Sequence, residues 1–476
     1  MKPYILREPN PVEPQNRHPK LLNSIAESLA PSDRMEESAQ GQSGSALENW
    51  IVRARLQGTH CGAMNALQPN PFVPNRSQTT TCLALLIAGI GLMTGCRSLP
   101  QSSQRSGPWD LASLKQTPAA EWGGRTGLVQ EVYYEGEPFQ GKRTRVFAYL
   151  GRPAEGSGPF PAMVLVHGGG GKAFREWAEH WAKRGYVAMA MDTAGCGPNG
   201  PLPDGGPNQN DAGKFHEFTD AEVREMWSYH AVAAVIRGHS LLASLPEVDR
   251  RRIGITGISW GGYLTCIVAG LDDRLKVAVP VYGCGFLGDN SAWKSGSLAA
   301  LKPETRERWL RNFDPSRYLG GVNCPILFLN GSNDFAYPLD SYQKSYRLVS
   351  SKLRHVSVVL NLPHGHIWTF NEVDQFVDST LRGGQPLPHV QPMHIQGNMV
   401  TAGVAAQSPI KQAALHYTSD SGEWQKRRWE TVPAEIQGNK IIGRLPGQRP
   451  LVCYLAVTDE RGLRVSAEHL QLPAAK

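Results

Sequence analysis

One serine lies in a sequence context suited to nucleophilic chemistry. Ser259 is the centre of Gly257-Ile258-Ser259-Trp260-Gly261, which follows the apolar run 252–258 and precedes a helical stretch. Glycine at both flanks permits a tight strand-to-helix turn that exposes the serine oxygen. The backbone N–H of Trp260, at the helix start, then points to where negative charge develops on a substrate oxygen. The motif predicts Ser259 as nucleophile and Trp260 as one oxyanion donor.

A glycine-rich segment is the candidate for the second oxyanion donor. His167-Gly168-Gly169-Gly170-Gly171 follows the apolar run 161–167. Glycines there let the backbone itself approach a substrate oxygen, so Gly169 and Gly170 are predicted to contribute N–H groups. A phosphate-binding role is disfavoured because Lys172 is followed by alanine rather than by Ser or Thr.

An acid and a base follow later apolar runs. Asp334 comes after the run 324–330, and His364 and His366 come after the run 355–361. A buried carboxylate in this position orients an imidazole, which in turn takes the serine proton. We favour His364 as the base for its spacing from the end of the strand, and His366 stays open as the alternative. The order Ser, Asp, His along the chain agrees with this arrangement.

The elements that must hold these residues alternate between strands and helices. The segments Val129–Tyr134 and Arg143–Leu150 are predicted to form an antiparallel lead-in pair. Six apolar strands are then predicted at 161–167, 185–192, 252–258, 276–282, 324–330 and 355–361. Helices are expected at 174–184 and, after a capping box at Thr219–Glu222, through about Leu245. The pattern predicts a doubly wound, mostly parallel α/β sheet over 127–387, with its site at the carboxyl ends of the strands.

The last part of the chain has a different pattern. Residues 388–476 contain short β-rich segments separated by turn residues, which predicts a small all-β sandwich domain. Trp424 and Trp429 are interpreted as core anchors of this domain rather than as a carbohydrate platform.

Together these motifs resemble a known family. The segment Val248–Tyr263, His167-Gly-Gly-Gly and Asn330-Gly-Ser-Asn-Asp334 are similar to the dienelactone-hydrolase and acetyl-xylan-esterase-like branch of the α/β-hydrolases, over about 127–385. Ser-Trp-Gly-Gly-Tyr is also similar to prolyl oligopeptidase catalytic domains. The resemblance implies a serine acyl-enzyme without metal or cofactor. The chain departs from dienelactone hydrolase proper in having Ser rather than Cys, and from prolyl oligopeptidase in lacking upstream propeller repeats.

These departures favour an esterase. The expected function is hydrolysis of carboxylic esters through an acyl-enzyme on Ser259, with small-molecule esters or acetyl esters of polysaccharides as substrates. A peptidase of the prolyl oligopeptidase type and a non-catalytic binding protein on a hydrolase scaffold stay as alternatives. The segments 195–213 and 286–318, the latter with Trp293 and Trp309, are expected to border the pocket.

The start of the chain predicts export. Residues 1–63 lack periodicity and are interpreted as untranslated or disordered. Residues 64–95 are predicted to be a lipoprotein signal peptide that begins at Met64, because the apolar core after Thr81 is too short to cross a bilayer. Cys96 would carry the lipid and attach the protein to a bacterial envelope membrane, facing the periplasm or the cell surface. Residues 96–126 would form a tether.

Composition excludes two other classes. The formal charge is +7, but the longest basic runs are three residues, which argues against a nucleic-acid partner. The eight cysteines contain no Cys-x-x-Cys, so no metal site is predicted. One disulfide among the five cysteines after residue 96 stays open.

Overall fold

A nine-stranded sheet organises the part of the chain that the computed structural model describes, which is residues 106–366, 368 and 370–474. The strands are Ala120–Thr126 (β1), Val129–Glu135 (β2), Arg145–Gly151 (β3), Phe160–Val166 (β4), Val187–Met191 (β5), Val248–Ile258 (β6), Val277–Val281 (β7), Ile326–Gly331 (β8) and Arg354–Val359 (β9). Their spatial order is β1-β2-β3-β5-β4-β6-β7-β8-β9. Strands β4 to β9 are parallel, and β1, β2 and β3 pair antiparallel. The predicted parallel sheet and antiparallel lead-in pair are confirmed.

Helices cover the sheet. Their bounds are Leu111–Leu114 (α1), Arg175–Lys183 (α2), Asp211–Lys214 (α3), Trp227–Ser244 (α4), Trp260–Leu271 (α5), Pro303–Phe313 (α6), Leu339–Tyr346 (α7) and Asn371–Arg382 (α8). Every residue of β5, β7 and β8 is buried, as expected of mostly apolar strands that lie between two helical layers. His180 of α2 and Asp374 of α8 join these two helices at 2.9 Å.

Two expectations about local structure need correction. The Thr219–Glu222 box forms only in part, because the Thr219 N–H donates to the Glu222 carboxylate at 2.8 Å but the Thr219 hydroxyl also donates to that carboxylate instead of accepting the Glu222 N–H. It lies ahead of a short turn at Val223–Glu225, whose N-cap residue Glu222 makes no side-chain capping bond, and α4 begins only at Trp227 because Met226 has extended backbone. The expected tether over 96–126 also differs, since its described part contains α1 and β1. Trp109 is buried there and donates its indole N–H to the Tyr229 carbonyl at 3.0 Å.

The C-terminal residues form two antiparallel sheets, as predicted. Their strands are His389–Val390 (β10), His394–Gln396 (β11), Met399–Ala405 (β12), Ile410–Thr418 (β13), Glu430–Pro433 (β14), Glu435–Gln437 (β15), Lys440–Arg444 (β16), Leu451–Asp459 (β17), Arg464–Ser466 (β18) and Leu470–Leu472 (β19). One sheet has the order β10-β12-β16-β15 with β11 on β12, and the other has β14-β13-β17-β18 with β19 on β17. A Cβ on Gly443 would lie 3.1 Å from Leu415 and 3.2 Å from Leu455, so the sheets face each other.

The β-rich part packs directly on the α/β part. The Gln343 side chain of α7 donates to the His469 carbonyl at 2.7 Å, and the Val358 N–H of β9 donates to the Ser466 hydroxyl at 2.9 Å. All described residues belong to one compact unit. The boundary between 387 and 388 stays a prediction.

The remaining expectations concern the first 96 residues, membrane-spanning helices and a disulfide. The predictions for residues 1–63 and 64–95, and for a lipid on Cys96, lie outside the described residues. Within residues 106–474, apart from 367 and 369, none of the helices combines the length and hydropathy that a membrane crossing needs. The cysteines of the same part of the chain are free: Cys196, Cys266, Cys284, Cys324 and Cys453.

Candidate active site

Ser259 occupies a strained turn between β6 and α5. Its φ of 59° lies in the left-handed region, which a non-glycine residue adopts at an energetic cost. Its N–H donates to the Val281 carbonyl of the neighbouring strand at 2.9 Å, which fixes the turn. The flanking glycines are required by contact, because a Cβ on Gly257 would lie 2.4 Å from the Gly261 oxygen. A Cβ on Gly261 would lie 2.0 Å from the Val166 oxygen.

Asp334 lies just beyond β8, and both of its carboxylate oxygens are hydrogen-bonded. It is buried, and Oδ1 accepts the backbone N–H groups of Ala336 and Tyr337 at 2.9 and 2.8 Å. Oδ2 lies 2.7 Å from Nδ1 of His364. The two N–H donors bind Oδ1 and hold the carboxylate in one orientation, so Oδ2 faces the imidazole.

The imidazole of His364 lies beside two aromatic rings. It stacks on Tyr282 with 4.5 Å between ring centres, and the exposed ring of Phe335 lies 4.8 Å away. The Tyr282 hydroxyl donates to the Pro363 carbonyl at 2.8 Å, which supports the backbone beside His364. Tyr282 was not among the predicted site residues, although its position directly after β7 was a usable signal. Its φ of 62° marks a second strained residue at this sheet edge.

The second histidine of the loop has a different partner. Nε2 of His366 accepts the N–H of Gly168 at 2.9 Å, and its ring lies 5.2 Å from Phe174. Burial lowers the pKa of His366, which agrees with a neutral ring that accepts a hydrogen bond. The structure thus joins His364 to the acid and His366 to the glycine segment.

The glycine segment lies against the elbow. A Cβ on Gly168 would approach the Ser259 Cβ to 2.8 Å, and one on Gly169 would approach the Trp260 ring to 2.8 Å. Gly170 has a φ of 69° and open space around it. Of the two glycines predicted as oxyanion donors, Gly169 is the one in contact with Trp260, whose N–H stands at the first position of α5.

His167 anchors the start of this segment. It is buried, with Nδ1 2.7 Å from the Gly168 oxygen and Nε2 accepting the Thr193 N–H at 2.9 Å. Burial lowers the pKa of His167 to about 4, so the ring is neutral at pH 7. The sequence contained this histidine in the motif but gave no reason to expect a positioning role.

The two tryptophans expected at the pocket border, Trp293 and Trp309, lie in different surroundings. Trp293 packs against Trp260 with 4.4 Å between ring centres and the rings tilted at 55°, close to the elbow. The ammonium of Lys214, buried in α3, lies 4.7 Å from the Trp260 ring centre. Trp309 is completely buried between Phe215 and neighbouring aromatic rings, so it is a core residue and not a pocket wall.

Two further expectations concern binding residues. In the described residues, no group of three or more His, Cys, Asp or Glu side chains could hold a metal ion. Trp424 is buried, and Trp429 is partly buried against Tyr454, as core anchors of the β-rich part would be.

A sheet in this strand order, with a serine on the strained turn after β6 and an Asp–His pair beyond β8 and β9, defines an α/β-hydrolase. The family model of acetyl xylan esterase matches residues 120–317. An acetyl esterase of Xylanibacter ruminicola, Axe7A, is 24% identical over 257 residues, which are 49% of this chain and 55% of that protein. This chain therefore spans about half the length of that relative.

An Escherichia coli K12 protein provisionally named as a carboxymethylenebutenolidase is 26% identical over 230 residues. The match covers 46% of this chain and 71% of that protein. The solved acetyl xylan esterase of Paenibacillus sp. R4 is 20% identical, with a TM-score of 0.47, and covers 60% of this chain and 100% of its own. The resemblance to the dienelactone-hydrolase and acetyl-xylan-esterase-like branch is confirmed.

Proposed function

We propose that this protein is a serine esterase that cleaves carboxylic esters through an acyl-enzyme on Ser259. The observation that carries the proposal is the 2.7 Å hydrogen bond between Asp334 and His364, beyond strands parallel to the one that ends at Ser259. The carboxyl ends of parallel strands lie at the same edge of a sheet, so the three side chains serve one site.

In the proposed reaction, Ser259 Oγ attacks the ester carbonyl while Nε2 of His364 takes its proton. Asp334 keeps the Nδ1 proton in place and stabilises the imidazolium. The backbone N–H groups of Trp260 and Gly169 hold the oxyanion by hydrogen bonds. The dipole of α5 adds an electric field that favours negative charge at the same place. His364 then returns the proton to the leaving alcohol, and water releases the acid by the reverse steps.

Acetyl esters of polysaccharides are the proposed substrates. The match to the acetyl xylan esterase model supports this choice. On the acyl side, the partly buried ring of Trp293, which packs on Trp260 beside the elbow, offers a bulky wall that favours a short acyl group. On the opposite side, the ring of Phe335 is 58% exposed and lies beside His364. His364 must face the leaving alcohol, because it returns the proton to that alcohol. A flat apolar ring there suits a pyranose face.

Export and lipid anchoring are part of the proposal. The apolar stretch that ends at Thr94-Gly95-Cys96 supports a lipid on Cys96 and an envelope location. The intact mass of the protein purified from its native host tests this. A mature chain that begins at Cys96 with a lipid agrees with the proposal, and one that retains residues 1–63 contradicts it.

The enzymatic proposal is tested with p-nitrophenyl acetate and acetylated xylo-oligosaccharides as substrates. Release of acetate that disappears in Ser259→Ala is expected. Cleavage of peptide substrates without ester hydrolysis would replace the proposal with a peptidase. Absence of both activities, together with no labelling of Ser259 by a fluorophosphonate probe, would indicate a non-catalytic protein.

A further inference from the structure

The loop that carries the acid is held by the C-terminal β-rich part. The side-chain amide of Asn333, the residue before Asp334, donates to the carbonyl oxygens of Arg427 and Gln425 at 2.6 and 3.3 Å. These partners are more than 90 residues away in sequence. One amide group thereby joins the acid loop to a turn between β13 and β14.

That turn is itself firmly fixed. Trp424 is only 5% exposed, and its ring lies 5.4 Å from that of His469 in an edge-on contact. The guanidinium of Arg427 lies 3.6 Å from the centre of the Trp424 ring. The Gln343–His469 hydrogen bond connects this region to α7. The two carbonyls that receive Asn333 therefore belong to a packed support rather than to a free loop.

The same amide connects to the loop of the base. Oδ1 of Asn333 accepts the hydroxyl of Ser332 at 2.6 Å, and that hydroxyl accepts the N–H of Asn361 at 3.0 Å. Ser332, the central member of these two bonds, is buried, and both bonds are partly shielded from water. Asn361 has a φ of 51° and begins the segment that leads to His364. The Asn333 relay, defined as Arg427, Asn333, Ser332 and Asn361, thus spans the support, the acid loop and the base loop.

We propose that the C-terminal β-rich part positions the Asp334–His364 pair through the Asn333 relay, and that Asn333 is a positioning residue. The inference rests on the proposed esterase function. Asp334 and His364 are contributed by two separate loops, and their 2.7 Å hydrogen bond depends on the relative placement of these loops. A relay that ties both loops to one support keeps that placement, and a displacement near 1 Å costs about 100-fold in rate.

A second contact between the two parts supplies a matched control. Glu468 pairs with Arg347 at 2.8 Å and also with Arg354, which begins β9. The amino end of a parallel strand lies at the edge opposite the site. Glu468→Gln therefore weakens the junction between the two parts without touching the loops of Asp334 and His364.

The test compares Asn333→Asp, Asn333→Ala and Glu468→Gln with the wild-type chain. Asn333→Asp keeps an acceptor for Ser332 but presents a carboxylate to two carbonyl oxygens. Both Asn333 variants should lose about 10- to 100-fold in kcat with KM nearly unchanged. Glu468→Gln should keep kcat while its Tm falls by a few degrees. The one-dimensional proton spectrum should also show a weakened low-field signal of the His364 Nδ1 proton in the Asn333 variants, with no substrate present.

Two outcomes would overturn the inference. Wild-type kcat and an unchanged low-field signal in the Asn333 variants would show that the relay does not position the pair. Equal losses of kcat in Glu468→Gln and Asn333→Ala would assign the effect to general stability. A wild-type chain without esterase activity would refute the proposed function instead, and the proton signal would still report on the relay.

Discussion

Replacement of Asp334 by Asn separates the acid's chemical role from its structural role. The Asn oxygen can still accept the N–H groups of Ala336 and Tyr337, which now bind Oδ1 at 2.9 and 2.8 Å. The amide NH₂ would then face His364 Nδ1, at the position where Oδ2 now lies at 2.7 Å. Because an NH₂ group can only donate, it would force Nδ1 to accept and place the ring proton on Nε2. That tautomer cannot take the proton of Ser259.

The expected loss is about 10⁴-fold in kcat, which corresponds to roughly 5 kcal/mol of transition-state stabilisation. Stability should change little, since both backbone donors keep an acceptor. Asp334→Ala is the contrasting variant. It leaves two buried N–H groups unpaired, at about 1–3 kcal/mol each, and should lower both kcat and Tm.

The assay is initial-rate hydrolysis of p-nitrophenyl acetate together with thermal unfolding of the wild type and both variants. A kcat of Asp334→Asn within tenfold of wild type would refute the role of Asp334. A fall in Tm as large as that of Asp334→Ala would refute the argument that its two N–H bonds survive in the amide.

Four further variants test the turn at the elbow, the acid lability of the fold and recognition of the alcohol. Gly261→Ala should destabilise the fold by about 1–3 kcal/mol or more, because its Cβ would meet the Val166 oxygen at 2.0 Å. Gly296→Ala, which has open space, should change the stability by less than about 0.5 kcal/mol in urea unfolding. Burial lowers the pKa of His469 to about 3, and its ring nitrogens have no partner among the described residues. The unfolded chain then binds the proton first as pH falls below about 6.5, so His469→Phe should reduce the loss of unfolding free energy between pH 7 and 5. Phe335→Ala should lower kcat/KM for acetylated xylo-oligosaccharides by about tenfold and leave that for methyl acetate unchanged.

Each of these predictions has a contradicting result. Equal stabilities of the two glycine variants would show that the contact with β4 is not restrictive. An unchanged pH dependence in His469→Phe would remove this histidine from the acid lability of the fold. Equal losses on both esters in Phe335→Ala would assign the ring to catalysis rather than to recognition of the alcohol.

The sequence was sufficient where local pattern decides the structure. Gly257 and Gly261 fix the elbow because their neighbours are backbone atoms, so the motif itself carries the geometry. The parallel strands were visible as unbroken apolar runs, since both of their faces are buried. β1 escaped notice because its glycine-rich sequence is largely exposed and pairs only at the sheet edge.

Other features depend on partners that are distant in sequence. Which of the two histidines contacts the acid depends on how the loop of 361–366 turns, so the spacing from the strand end favoured His364 but could not exclude His366. The contact between Asn333 and Arg427 joins two parts of the chain with unrelated patterns. Trp309 illustrates the opposite error, because an aromatic residue in a predicted border segment is a core residue once Phe215 packs against it.

The most direct test of the central claim is acetate release from p-nitrophenyl acetate by the wild type and by Ser259→Ala, His364→Ala and His366→Ala. We expect activity to be lost in Ser259→Ala and His364→Ala and to be kept in measurable part in His366→Ala, since His366 binds the glycine segment rather than Asp334. Retention of wild-type activity in Ser259→Ala would contradict the account, and loss in His366→Ala with activity kept in His364→Ala would show that the base is misassigned.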